Sequence, residues 1–142
     1  MTPLTTSHCD FGPPPPCPAT FNLAEYVLTG AGADPDKCAL TIVGGPDAAV
    51  QRLTYGEMKN RVLGTASALT AQGLAAGDRV ILRIGHEIDF PIFFLAATAL
   101  GAVPVPTSPM LSPHETRLIA EDTDAQFIIA APDLSGLKRC SL

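Results

Sequence analysis

Positive charge is scarce and scattered in this chain. Nine Lys and Arg are spread from Lys37 to Arg139 with no stripe or cluster, against fourteen Asp and Glu, giving a net charge of −5. A footprint for a phosphate backbone is missing, which disfavours nucleic acid as a partner. No basic residue precedes Lys37, so the positive start of a signal peptide is absent and a cytoplasmic location is expected. Long apolar runs are absent too. Residues 90–105, the most apolar stretch, contain Pro91, Thr98, Gly101 and Pro104 and fall short of the ~20 residues a bilayer requires. No membrane span is expected. Four cysteines, Cys9, Cys17, Cys38 and Cys140, form no C-x-x-C pair and have no histidine at ligand spacing, which argues against a metal site. Cys38, in the run CALTIV, is expected to pack as a small hydrophobe.

Motifs that announce chemistry are equally lacking. There is no G-x-x-x-x-G-K-[ST] loop, no G-x-G-x-x-G after a strand and no H-E-x-x-H. Gly44 and Gly45 are followed by neither a helix nor a Lys-Ser or Lys-Thr pair, so they read as a turn rather than a phosphate cradle. His8 and His114 have no Ser, Cys or Asp at triad spacing. Catalytic and metal-ligating residues are therefore assigned to none.

What is present is ordinary globular composition, 46% hydrophobic and 16% charged over 142 residues. A compact domain of this size can bury about 68–70% of its unfolded surface. Residues 1–20 hold six of the fourteen prolines, Pro13 to Pro16 in a row, and read as an extended, disordered arm. Residues 21–132 carry the periodic pattern of a domain, and residues 133–142 form an irregular tail.

Within that domain FNLAEYVL reads as a short helix with Leu23, Val27 and Leu28 on one face. CALTIV and VQRL, separated by GGPD, suggest a loose antiparallel hairpin. Thr54 and Glu57 form a T-x-x-E capping box that starts a helix at Tyr55, with Met58, Val62, Ala66 and Leu69 inward and Gly73 as its stop. RVILRI is too apolar to be half exposed, which marks an internal strand of a parallel sheet. Asp89 is expected to cap the next helix, with Pro91 in its first turn and Gly101 closing it. Phe90, Ile92, Phe93, Phe94, Leu95 and Leu100 leave that helix no polar face, so it should be buried on nearly all sides. AVPVP reads as a strand at a sheet margin, because its prolines remove ladder donors. Ser112 and Glu115 form a second capping box, and Leu118 and Ile119 are expected to face inward. The acidic end at Glu121, Asp122 and Asp124 opposes the helix dipole and suggests a solvated exit. AQFIIAAP supplies the last strand.

Strict alternation of helix and strand specifies an α/β fold, a partial, mostly parallel sheet flanked by helices. In such sheets ligands sit beyond the carboxyl ends of the strands. That rule makes His86, after RVILRI, and Thr107 and Ser108, after AVPVP, the crevice candidates. The competing reading is that they are loop residues bonding locally.

The segments FNLAEYVL, LTYGEMKNRV, GLAAGDRVILRIGHEIDFPIFFLAATALGAVPVPTSPMLSPHE and AEDTDAQFII together resemble the opening of the N-terminal domain of AMP-forming acid:CoA ligases, the adenylate-forming superfamily. DFP with GAVPVPTSPML is most similar to the aryl-acid branch, the benzoate-type CoA ligases. The resemblance implies a parent enzyme that joins a carboxylic acid to ATP, with magnesium, and passes the acyl group to coenzyme A. It also implies that this chain, lacking counterparts of that family's phosphate loop, adenine motif, ribose aspartate and catalytic lysine, is a truncated piece with no cofactor and no catalysis of its own. Adenylyl chemistry depends on donors placed around the phosphates. Two rival readings are a noncatalytic protein-interaction module on the same scaffold and a flavodoxin-like small-nucleotide binder. Self-association through exposed apolar surface is an expectation of the truncated reading.

Overall fold

A computed structural model describes residues 12, 13, 16, 18–29, 34–44 and 50–131. The proline-rich arm is thus described only at positions 12, 13, 16 and 18–20, all exposed. Cys9, Cys17, Cys140, His8, Gly45 and the 133–142 tail lie outside the described residues.

The first helix, α1 (Leu23–Thr29), is capped by Asn22, whose Oδ1 accepts from the backbone N–H of Ala24 at 3.0 Å and of Glu25 at 3.2 Å. Its buried residue is Ala24, with Val27 and Leu28 half-buried beside it, whereas Leu23 is exposed. The inward face is therefore rotated from the one the leucine suggested. A close approach to another helix accounts for this: Asn22 Nδ2 donates to the Ala99 carbonyl at 3.1 Å, and an alanine suits so short a separation.

Strands β1 (Cys38–Ile42) and β2 (Gln51–Thr54) form the expected antiparallel hairpin. Cys38, expected inside, is exposed at the strand's start, its Sγ 3.4 Å from Thr41 Oγ1. Helix α2 (Tyr55–Ala71) follows directly. Its capping box is complete: the Glu57 N–H donates to Thr54 Oγ1 at 3.2 Å and the Thr54 N–H to Glu57 Oε2 at 2.9 Å. Met58, Val62, Ala66 and Leu69 are its buried residues, the four the periodicity marked. Gly73, with φ of 94°, ends it in a Schellman turn, in which the Leu74 N–H reaches the Leu69 carbonyl at 3.0 Å and the Gly73 N–H the Thr70 carbonyl at 2.9 Å.

Strand β3 (Arg79–Arg83) is central in a three-stranded parallel sheet, between β4 (Val103–Pro106) and β5 (Phe127–Ala130). Helix α3 (Asp89–Ala99) joins β3 to β4, and α4 (Pro113–Thr123) joins β4 to β5. Asp89 does not cap α3. The cap position is Ile88, which makes no side-chain bond, and Asp89 is the helix's first residue, its charge at the positive end of the dipole. No residue of α3 beyond Asp89 is exposed, as an all-apolar helix requires.

Alternation along β3 divides the core. Val80 and Leu82 pack with α2 and α3 on one face, and Ile81 packs with Ala120 and Ala125 on the other. The sheet is thus a middle layer between helices. On α4 the inward residues are Thr116 and Ala120. Leu118, expected inside, is exposed, and Ile119 is half-buried. Helical phase set by the Ser112 cap, together with Thr116 Oγ1 donating to the Ser112 carbonyl at 3.0 Å, puts a small polar residue where a leucine was expected.

Candidate functional site

Chain direction creates the site. β3 leads to α3 on one face of the sheet, and its neighbour β4 leads to α4 on the other, so the two loops part at the carboxyl ends. Such a switch point leaves a crevice. Here it encloses about 350 Å³ between apolar Ile84, Phe90, Pro106 and Pro109, with His86, Thr107 and Ser108 as its polar groups. All three sequence candidates therefore line one crevice, His86 from the β3 side and the two hydroxyls from the β4 side.

Their chemistry differs. Thr107 is tied to β3, both its N–H and its Oγ1 donating to the Leu82 carbonyl at 3.0 and 3.3 Å, so its hydroxyl proton is spent locally. Ser108 Oγ accepts from the Met110 N–H at 3.2 Å, which leaves its own O–H able to donate outward. His86 is exposed, and among the described residues no hydrogen bond orients its imidazole. A general base held by a carboxylate beside a nucleophile is therefore not formed by these residues. Among the described residues, the lining includes no lysine, arginine or carboxylate. The crevice can seat an apolar body and donate to an acceptor group on it.

One residue that sequence reasoning passed over lies just behind the crevice. Arg83, the last residue of β3, is only 7% exposed and donates from Nη2 to the carbonyls of Pro109, at 2.9 Å, and Leu111. Its signal was available as a charge inside an otherwise apolar strand, which demands buried acceptors. Met110, in the same loop, is 92% exposed. At the start of α4, Glu115 accepts from the Ser112 N–H at 2.8 Å and Oγ at 2.7 Å. Those bonds hold its carboxyl below the usual carboxylate range, the backbone one contributing most.

The fold and crevice define the class: a parallel α/β scaffold with an apolar crevice at a switch point. The family profile described as "AMP-binding enzyme" matches residues 29–141, and the chain belongs to that family. Among curated proteins it is 37% identical over 91 residues to the long-chain-fatty-acid–CoA ligase FadD13 of Mycobacterium tuberculosis, covering 61% of this chain and 18% of that protein. To the 3-hydroxybenzoate–CoA ligase of an Aromatoleum species it is 29% identical over 96 residues, 68% of this chain and 18% of the relative. Among solved structures, a benzoate CoA ligase from Burkholderia xenovorans superposes with a TM-score of 0.70 at 27% identity, over 81% of this chain and 22% of that one. The chain spans about a fifth of the length of these relatives. Among the described residues no helix is long and apolar enough to cross a membrane.

Proposed function

We propose that the chain is the N-terminal scaffold of an ATP-dependent carboxylic acid:CoA ligase, one that forms an acyl adenylate and then an acyl-CoA, and that it is inactive by itself. The carrying observation is the agreement of the family profile over residues 29–141 with a superposition on a benzoate CoA ligase. In this reading ATP, magnesium and coenzyme A serve the whole enzyme, bound by parts outside the portion described. The crevice of His86, Thr107 and Ser108 contributes one wall of its ligand-binding surface. The acid is of the aryl class, as the names of two matched ligases favour, and the enzyme works in the cytoplasm.

An exchange of segments tests this. Residues 21–131 are placed in the benzoate CoA ligase in place of the segment they match, and acid-dependent ATP–pyrophosphate exchange is measured. Activity in the folded hybrid supports the reading, and Ser108→Ala should then weaken turnover while leaving the fold intact. A folded hybrid without exchange would count against it. A second reading, a noncatalytic interaction module, is favoured by the exposure of Phe21, Tyr26, Leu63 and Met110, at 52%, 64%, 54% and 92%. Stable capture of a partner by the chain in the absence of any ligase sequence would support it.

A further inference from the structure

We propose that Arg83 is a positioning residue for the crevice, holding the loop of residues 107–111 in place from behind its wall. The inference rests on the reading of the crevice as a ligand-facing surface, but its structural part stands on geometry alone.

Arg83 is a buried cation with no carboxylate paired to it among the described residues. The ion pair seen among the described residues joins Arg79 to Asp124, at the opposite end of the sheet. Arg83 Nε is buried with no hydrogen-bond partner among those residues. Burying a guanidinium in this way is costly, and an apolar β-branched residue would suit a central strand better. What the guanidinium does make is a pair of charge-assisted bonds from Nη2 to two carbonyls of one loop, those of Pro109 and Leu111.

That loop is fixed at three places. Thr107 is bonded to the end of β3, Arg83 takes the carbonyls of the middle, and Ser112 caps α4. Pro109 has no N–H with which to anchor itself otherwise. Arg83 therefore holds two carbonyls of the loop whose Thr107, Ser108 and Pro109 line the crevice. It shapes the site without lining it.

Amide hydrogen exchange in the full 142-residue chain tests this in wild type, Arg83→Met and Arg83→Lys. Loss of bonds from a charged donor should speed exchange at Met110, Leu111 and Ser112 by about 10- to 100-fold in Arg83→Met, with Val80 to Leu82 and Val62 unchanged and with partial restoration in Arg83→Lys. Unchanged exchange in the loop overturns the proposal. A uniform rise across the sheet and α2 overturns it as well, because that is the mark of a general stability role. Should Arg83→Met fail to fold, the wild-type guanidinium decides: Nη2 protons that are protected and coupled to the carbonyls of residues 109 and 111 support it, and freely exchanging, uncoupled protons overturn it. Shifts of His86 and Ser108 signals on adding benzoate to wild type test the crevice separately. A null result there counts against the ligand reading and leaves the loop result standing.

Discussion

Asp124 occupies the left-handed position, φ 49°, that glycines fill at the ends of the other two long helices, Gly73 at 94° and Gly101 at 74°. The Ala125 N–H reaches the Ala120 carbonyl at 2.9 Å, closing the same kind of turn. A non-glycine residue there costs about 1–2 kcal/mol, less for Asp, whose short side chain finds local bonds. Arg79 supplies them: its Nε donates to the Thr123 carbonyl at 2.9 Å and its Nη2 to the Asp124 carbonyl at 2.9 Å and to the Asp124 carboxylate. Glu121, Asp122 and Asp124 are all exposed, as a solvated exit requires, and Arg79 adds a cation to the carbonyls of that acidic end. Asp124→Ala should lose the carboxylate and keep the strain, costing ~1–2 kcal/mol, whereas Asp124→Gly should cost less because glycine relieves it. Denaturant melts of the two variants check the order. Glu115 gives a pH dependence. Its carboxyl is lowered in the folded chain by bonds from Ser112, so its contribution is present above its unfolded pKa and lost as pH falls through the folded one. The stability gap between wild type and Glu115→Gln should accordingly narrow in the acid range, as melts at stepped pH would record. Capping boxes were legible because they are local, three residues apart. The Arg79–Asp124 pair was not, because residues 45 apart in sequence meet only once the sheet has formed.

Helix α2 and strand β3 were the elements most readable in advance, since a long amphipathic period marks a helix and the apolar run of Val80, Ile81 and Leu82 after the Gly77–Asp78 turn marks an internal parallel strand. Short elements were harder. In α1 and α4 a shift of one residue in phase replaces a leucine by an alanine or threonine on the inner face, and only the neighbouring element decides the phase. Leu95, by contrast, lies in α3 at 6% exposure, and Leu95→Ala should cost ~2–5 kcal/mol in a denaturant melt. The sheet's two margins differ as well. The Val103 and Thr107 N–H groups point to β3, at 2.8 and 3.0 Å from the Asp78 and Leu82 carbonyls. Alternation turns positions 104 and 106 to the outer side, and both are prolines, so β4 offers that side no donor. On β5 the Gln126 N–H points inward to the Arg79 carbonyl at 3.0 Å, which leaves Phe127 and Ile129 facing outward with donors intact. Growth of the sheet is therefore expected at β5. The amides of Phe127 and Ile129 should exchange much faster than those of Ile81 and Leu82 in the dilute chain. Equal protection would mean that this edge is already covered.

At the scale of the molecule, a β5 edge that no other described strand covers and the exposed side chains of Phe21, Tyr26 and Leu63 lead us to expect association that increases with concentration. Protection of Phe127 and Ile129 that grew with concentration would place the contact. The α/β architecture and the crevice location were readable from the order of elements, because opposed crossovers at adjacent strands generate a switch point whatever the side chains are. The wall of that crevice was not, since it depends on Arg83 reaching carbonyls 26 and 28 residues away. As proposed above, this portion supplies sheet, helices and one crevice wall to a larger ligase, and acid activation belongs to parts outside it. The decisive measurement is ATP–pyrophosphate exchange on the purified 142-residue chain with benzoate, other aryl acids and fatty acids. No acid-dependent exchange is expected from the chain alone, in contrast to exchange by the folded hybrid ligase, and acid-dependent exchange by the chain itself would refute the proposal.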